Sequence, residues 1–531
     1  MINTLFANNG MATSPHHLAS QSALKVLRDG GNAIEAMVAA AATIAVVYPH
    51  MNSIGGDGFW LILKPNGEQI AIDASGVSAA SATIDMYLDK GLQKIPFRGA
   101  IAANTIAGTI SGWQKALEVS ASLGGNKPLD QLLNDAIQYA DEGFPVTNGQ
   151  SELTKNKLAE LKDIPGFAKT FLVEGQAPKP MSIMTNHPLA NTLKKLVSDG
   201  LDSFYRGELA QLIAKDLKSV GSPITLEDLH QHFAQIKDPL HLKHSLGNLY
   251  NVQPPSQGLV SLIILGLLDR TNLKNVQADS ADHVHLVVEA TKLAFQIRDS
   301  AITDPSYMKK AAQEYLDPSY LDDLAKSIKI DHAMSWGEGK GPGDTIWMGT
   351  VDKDGLAVSF IQSIYHEYGS GIVLESTGIN WQNRGASFSL DKNHINALMP
   401  KKKPFHTLNP AGARLHDGRV MVYGNMGGDG QPQSQAAVFT RYAVFNQPLQ
   451  TAVTAPRWLL GRTWGQSSDT LKLESRFPQE VFDELTIRGH EVEKMGVFDS
   501  ALGHAGAIVR LPNGVLLGAS DPRADGVVAA F

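Results

Sequence analysis

Thr345-Ile-Trp-Met-Gly-Thr-Val-Asp352, followed by Lys353-Asp-Gly355 and Leu356-Ala-Val-Ser-Phe360, is the stretch whose reading decides the fold. Two β-prone runs around an Asp-Gly turn predict a hairpin over residues 345–364. The glycine-rich segment Gly337 to Gly343 precedes it, so Thr345 stands where a flexible Gly/Pro linker, Ser335 to Asp344, becomes a strand. A hydroxyl there can attack the carbonyl of Asp344. An N-to-O acyl shift and hydrolysis would then free the α-amine of Thr345, giving one residue both nucleophile and base. Threonine is also an ordinary strand residue, so the rest of the chain has to decide between the two.

Working outward from the hairpin, strands dominate the C-terminal side: Arg419 to Tyr423, Thr470 to Leu473, Gly506 to Arg510 and Val515 to Ala519, with helices near Gln433 to Phe445 and Pro478 to Arg488. On the N-terminal side, Ser14-Pro15 reads as the cap of a helix ending at Gly30-Gly31, and Ala33 to Val47 as a buried helix. Two strands, Phe59 to Leu63 and Gln69 to Asp73, flank Pro65-Asn66-Gly67, a hairpin turn signal. Residues 105–330 read mainly as helix, including Pro128 to Tyr139, Pro188 to Val197, Leu209 to Lys218 and His283 to Arg298. Strands from both halves with helices on each side predict an α/β (α+β) fold, a four-layer αββα sandwich with helical excursions.

The 531 residues are 43% hydrophobic, ample for one large layered domain. A net charge of −7 without a long basic block argues against nucleic acid or an anionic membrane as partner. Zero cysteines exclude disulfides, thiol catalysis and thiolate metal sites. No signal-peptide pattern is read at the start, so a cytoplasmic location is the expectation. Seventeen histidines include His283 and His285, two apart on a helix and therefore diverging, and none shows a metal-binding spacing. No metal and no cofactor are expected.

Several stretches in order, Leu27-Arg-Asp-Gly-Gly-Asn-Ala-Ile-Glu-Ala36, Ile54-Gly-Gly-Asp-Gly-Phe59, Gly369-Ser-Gly371, Pro404-Phe-His-Thr-Leu-Asn-Pro410, Met426-Gly-Gly428 and Gly518-Ala-Ser-Asp-Pro-Arg523, resemble the γ-glutamyltransferase family of N-terminal-nucleophile hydrolases. The resemblance implies cleavage between Asp344 and Thr345 into fragments 1–344 and 345–531, which stay associated and build one sandwich. It leaves a dimer of such processed heterodimers open. It also implies that the Gly427 and Gly428 amides form the oxyanion hole and that Ser363 stands beside the nucleophile. Glycine suits that role because it lets the backbone approach and aim N–H donors at developing charge.

The same resemblance exposes departures. Where the family holds the glutamyl carboxylate with an arginine, this chain has Ala74-Ser75-Gly76; where an acid takes the glutamyl ammonium, it has Ser387. The paired serines ahead of Pro410 become His406-Thr407, with Asn409 in the same substrate segment, and a neighbouring glutamine becomes Arg384. A site that loses both contacts to a zwitterion and gains a cation fits a small carboxylate-bearing amide, with Arg384 able to hold it bidentately. Ile346-Trp-Met-Gly349, Gln362-Ser363, Trp381-Gln-Asn-Arg-Gly385 and Gly427-Gly-Asp-Gly-Gln-Pro432 are similar to the oxamate amidohydrolase branch, which implies hydrolysis of oxamate to oxalate and ammonia in purine nitrogen salvage. The alternatives are a γ-glutamyltransferase or glutathione hydrolase, a related acylase, and an uncleaved binding protein.

Overall fold

The hairpin forms as Asp344–Asp352 against Ala357–Tyr365, turning through Lys353-Asp-Gly355, where Gly355 has φ +88°. The computed structural model describes residues 3–336, 344–461 and 468–531, Asp344 by its backbone alone. The glycine-rich segment 337–343 lies outside the described residues.

The hairpin is the middle of a seven-stranded antiparallel sheet. Gly10–Ser14 pairs with its first strand and Asp57–Leu63 with its second; Val527–Ala530, Gln69–Ala74 and Gln235–Lys237 complete the order outward. Leu5–Ala7 and Leu516–Ser520 open a second seven-stranded sheet, which continues through Ala505–Arg510, Val420–Asn425, Ala411–Leu415, Gly247–Asn251 and Leu240–His244.

Period-two patterning makes each sheet two-faced. Leu61, Leu63, Val351 and Ala357 of the first sheet meet Val422, Ile508 and Leu516 of the second. Trp347 wedges into the same interface. Its ring lies where a Cβ on Gly424 or Gly506 would sit, at 2.1 and 2.5 Å, so those positions of the facing sheet accept only glycine, and its Nε1 donates to Ser359 Oγ at 2.9 Å. The other face of the first sheet, with Trp60, Ile62, Ile346, Met348 and Phe360, packs on helices His17–Arg28, Ala33–Val47 and Thr109–Ser122. The outer face of the second packs Ala413, Met421, Tyr423 and Val509 on helices Gly258–Leu268, Ala281–Ala301 and Gly430–Phe439. This is the αββα sandwich expected from the sequence.

Two local readings are refined and one is corrected. Thr470 to Leu473 forms its strand, Leu471–Glu474, in a separate three-stranded sheet with Trp458–Leu460 and Val492–Met495, because Leu471 and Leu473 face the helical core rather than the inter-sheet space. The predominantly helical region contains three short sheet strands between Gln235 and Asn251, whose polar residues mask their alternation. The first helix is capped by His16, whose Nδ1 accepts from the Leu18 amide at 3.3 Å, while Ser14 Oγ instead bonds the Ser20 hydroxyl.

Candidate active site

Thr345 occupies an irregularity in the central hairpin. Asp344 lies opposite Tyr365 and Ile346 opposite Gln362, so one extra residue is accommodated on the second strand beside Thr345. Such bulges re-aim side chains. Here the Thr345 hydroxyl, almost wholly buried, donates toward Ser363 Oγ at 3.4 Å and receives Gln431 Nε2 at 3.3 Å. Ser363, which could have been an ordinary outward strand residue, is 2% exposed, and its Oγ accepts from the Tyr365 amide at 2.8 Å. Tyr365 itself holds φ +82°, left-handed strain of order 1–3 kcal/mol for a bulky residue.

Gly427 and Gly428 form the turn between strand Val420–Asn425 and helix Gly430–Phe439, with φ +116° and +51°. Their carbonyls accept from the Gly430 and Gln431 amides. Among the described residues neither glycine N–H has a recipient, leaving two donors at the N-terminal end of a helix, an arrangement suited to a developing oxyanion. Gln257 Nε2 donates to both Gly428 O and Thr407 O at 2.8 Å, tying this turn to the 404–410 segment.

Arg384 begins a short turn, Arg384–Ser387, and is 1% exposed. Its guanidinium lies 3.5 Å over the Tyr365 ring and Nη1 reaches Thr407 Oγ1 at 3.4 Å, while Nε and Nη2 have no hydrogen-bond partner. Burial lowers its pKa to about 10 despite the opposing influence of Tyr365, Asp57 and Asp429. It forms no ion pair within salt-bridge distance among the described residues, so a surface salt bridge does not explain it.

Asn409, read as a substrate contact, is occupied otherwise: its Nδ2 donates to Thr407 O at 2.8 Å and Gln431 Oε1 at 3.0 Å, and its Oδ1 accepts from Ser261. It therefore holds Gln431, which in turn holds Thr345. Ser75 donates to Asp73, whose other oxygen takes Lys237 and Lys403 at 3.0 and 2.7 Å, and Ser387 donates to Phe405 O. Neither serine presents a charge.

His406 is fully buried, edge-on to Phe59 with ring centroids 5.2 Å apart. Burial, reinforced by Arg384, holds its pKa well below the ordinary 6.5. Its Nε2 lies 3.4 Å from Asp57 Oδ2, and neither atom has a hydrogen-bond partner. The other Asp57 oxygen accepts from the Gly76 and Gly108 amides, each at 3.0 Å. Burial nevertheless pushes the Asp57 carboxyl up to about 7. Asp57 and Gln431 are the site residues that sequence reading missed, although both lie inside motifs it quoted.

One histidine cluster lies elsewhere. His285, Glu289 and His490 bring ligand atoms within 4.8 Å of one another, which the diverging-histidine reading did not anticipate. The two rings already hydrogen-bond at 2.8 Å, and Lys292 pairs with Glu289 at 2.7 Å, so a cation is already in place there.

An αββα sandwich with a buried hydroxyl at a central strand start, and a Gly-Gly turn whose amides have no recipient among the described residues, fits the class of N-terminal-nucleophile hydrolases. The chain belongs to the γ-glutamyltranspeptidase family, whose model matches residues 19–531. It is 60% identical over 526 residues, 99% of both chains, to the oxamate amidohydrolase proenzyme of Klebsiella pneumoniae. It is 38% identical, over the whole of both chains, to the glutathione hydrolase-like YwrD proenzyme of Bacillus subtilis. The crystal structure of a cephalosporin acylase from Bacillus halodurans superposes with a TM-score of 0.92 at 34% identity, covering 100% of this chain and 97% of the other. Among the described residues no helix is long and apolar enough to cross a membrane.

Proposed function

We propose that the chain is a self-processing threonine amidohydrolase that converts oxamate and water to oxalate and ammonia. The observation carrying this reading is Arg384, a buried guanidinium with two unpartnered nitrogens, linked through Thr407, Asn409 and Gln431 to the Thr345 hydroxyl. A buried cation without an ion-pair partner calls for an anion, and a close one. The similarity to an oxamate amidohydrolase proenzyme supports the same substrate.

In this reading the hydroxyl of Thr345 first attacks the Asp344 carbonyl, and hydrolysis of the resulting ester frees the α-amine. That amine takes the hydroxyl proton as Thr345 Oγ1 attacks the amide carbon of oxamate. The Gly427 and Gly428 amides hold the developing oxyanion, and Ser363 and Gln431 orient the hydroxyl. Collapse of the intermediate expels ammonia, protonated by the same amine, and leaves an oxalyl ester on Thr345. Water, deprotonated by that amine, hydrolyses it. Arg384 holds the substrate carboxylate throughout, with Thr407 beside it. The place in purine nitrogen salvage comes from the branch resemblance.

Ammonia release measured across oxamate, glutamine, glutathione and β-lactam side-chain amides tests the reading. Oxamate is expected to dominate; robust γ-glutamyl transfer without oxamate turnover would overturn it. Purified protein is expected to contain a fragment beginning Thr-Ile-Trp-Met, and Thr345→Ala to remain whole. Cleavage of the variant at the same bond, with host proteases excluded, would sink the autocatalytic step.

A further inference from the structure

Asp57 and His406 are buried and face each other at 3.4 Å, and three polar atoms, Asp57 Oδ2 and both ring nitrogens, have no partner at hydrogen-bond geometry among the described residues, Gln382 being a further side chain that bears on the carboxyl. Such atoms are costly to bury unless something completes them. Arg384 bears electrostatically on both, and its Nε and Nη2 have no hydrogen-bond partner among the described residues. A buried cation with no carboxylate at salt-bridge distance among the described residues, a carboxyl and a neutral imidazole together form a site that an anion would complete.

We infer that Asp57 and His406 act as one proton-holding pair that completes the anion site, taking up a proton when a small 2-oxo carboxylate settles on Arg384. This rests on the oxamate reading and extends it to how the site selects a single negative charge. Two arrangements of the pair satisfy the geometry. In the empty site an ionised Asp57 accepts from His406 Nε2–H and offsets part of the Arg384 charge. With substrate carboxylate on Arg384, an ionised Asp57 would repel it. The Nε2 proton then passes to Asp57 Oδ2, and a solvent proton is taken up on Nδ1, which becomes a donor to the bound anion. Charge balances: one anion and one proton enter together. The 3.4 Å separation is the loose form of a hydrogen bond that tightens when the site is filled.

The other charged and titratable groups facing the pair do not change on binding in the same way. Tyr205 faces Asp57, with burial raising its pKa far from neutrality. Asp73 and Lys403 face His406 with opposing effects and are paired at 2.7 Å, Lys237 sharing the same Asp73 oxygen at 3.0 Å. Asp429 bears on Arg384 but is paired with Arg298 at 2.8 Å. Tyr365 and His366 face Arg384, burial raising the pKa of the first and holding that of the second well below 6.5; the freed α-amine of Thr345 titrates as well. Burial sets the Asp57 carboxyl at about 7 in the empty site, with Arg384 drawing it down. Cancelling the Arg384 charge raises it, so protonation is favoured more in the bound state. Affinity is therefore full below pH about 7 and lost as pH rises above it, by about tenfold per unit.

Pyruvate, which replaces the amide nitrogen of oxamate by a methyl group and cannot be hydrolysed, is the probe. Its dissociation constant for the mature enzyme, measured by calorimetry from pH 5.5 to 9, is expected to follow that profile. Asp57→Asn, permanently uncharged, is expected to lose the part of the rise that belongs to the pair and keep only that of the Thr345 amine. In wild-type enzyme at pH 8, the infrared difference spectrum on adding pyruvate is expected to gain a protonated-carboxyl band, a readout independent of any variant's folding. An unchanged pH profile in Asp57→Asn, or no gained band in the wild type, would overturn the pair. Ammonia release from oxamate alongside those results would overturn the pair alone, whereas no ammonia release would overturn the reading beneath it.

Discussion

Gly428 shows how much a single residue can state in advance. Its φ of +51° and its unclaimed amide both depend on the absence of a side chain. Replacing it with valine forces a β-branched residue into left-handed backbone and turns the N–H away. Loss of one oxyanion donor costs about 3 kcal/mol, so turnover of processed Gly428→Val is expected to fall by about two orders of magnitude. Near-parental turnover in a folded, processed variant would show that this amide is not a donor. Arg384→Ala is expected to lose several kcal/mol of transition-state binding for oxamate and much less for a neutral amide of the same size; equal losses in kcat/KM would reject a carboxylate contact. Thr345, Gly427, Gly428 and Arg384 could be proposed from the sequence because each is unusual for its place: a hydroxyl behind a loop, consecutive glycines after a strand, a cation where the resemblance implies a glutamine. Asp57 could not. Its significance comes from burial beneath Gly76 and Gly108 and from His406, about 350 residues away in sequence, and neither is written in the motif that contains it. Asn409, proposed as a substrate contact from its place in the 404–410 segment, spends its side-chain amide on Thr407 O and Gln431, a role no motif announces.

Among the elements, helix Ala281–Ala301 does more than its sequence pattern announces. Its presence was readable over His283 to Arg298, but 16 of its 21 residues are buried, so no polar face signals what it supports. Near its C-terminal end Arg298 reaches Asp429 at 2.8 Å, at the foot of the Gly427-Gly428 turn, with its guanidinium 3.9 Å over Phe295. Both charged groups are buried. Arg298→Met would leave Asp429 without this guanidinium, a change costing about 3–5 kcal/mol, whereas removing both charges at once costs far less. Urea unfolding is expected to show a marked loss for Arg298→Met and substantial recovery for Arg298→Met/Asp429→Leu. Activity should fall in both, since the turn loses its anchor. Additive losses of stability in the double variant would mean that the pair does not hold the turn. The short strands between Gln235 and Asn251 mark the opposite limit of sequence reading: strands of three to five residues, at or next to a sheet edge, present too few alternations to outweigh the helices around them.

Across the whole molecule, a cut ahead of Thr345 would divide the chain but not the structure. In the first sheet, strands Asp344–Asp352 and Ala357–Tyr365 sit between Gly10–Ser14 and Asp57–Leu63, and in the second, Gly247–Asn251 lies against Ala411–Leu415. Each sheet therefore takes strands from both sides of the proposed cut, and the inter-sheet core mixes Leu61 and Leu63 with Val351, Val422 and Ile508. Severing one bond removes none of these ladders or contacts, and a fragment leaving alone would expose a buried sheet face and unpaired strand edges at once. The processed protein is therefore expected to run as one species in size-exclusion chromatography without denaturant. Its fragments are expected to unfold in a single urea transition, seen alike by tryptophan fluorescence and far-ultraviolet dichroism. Separation of a folded 345–531 fragment at low urea, or two resolved transitions, would show that the cut defines two domains rather than two strands of one sandwich.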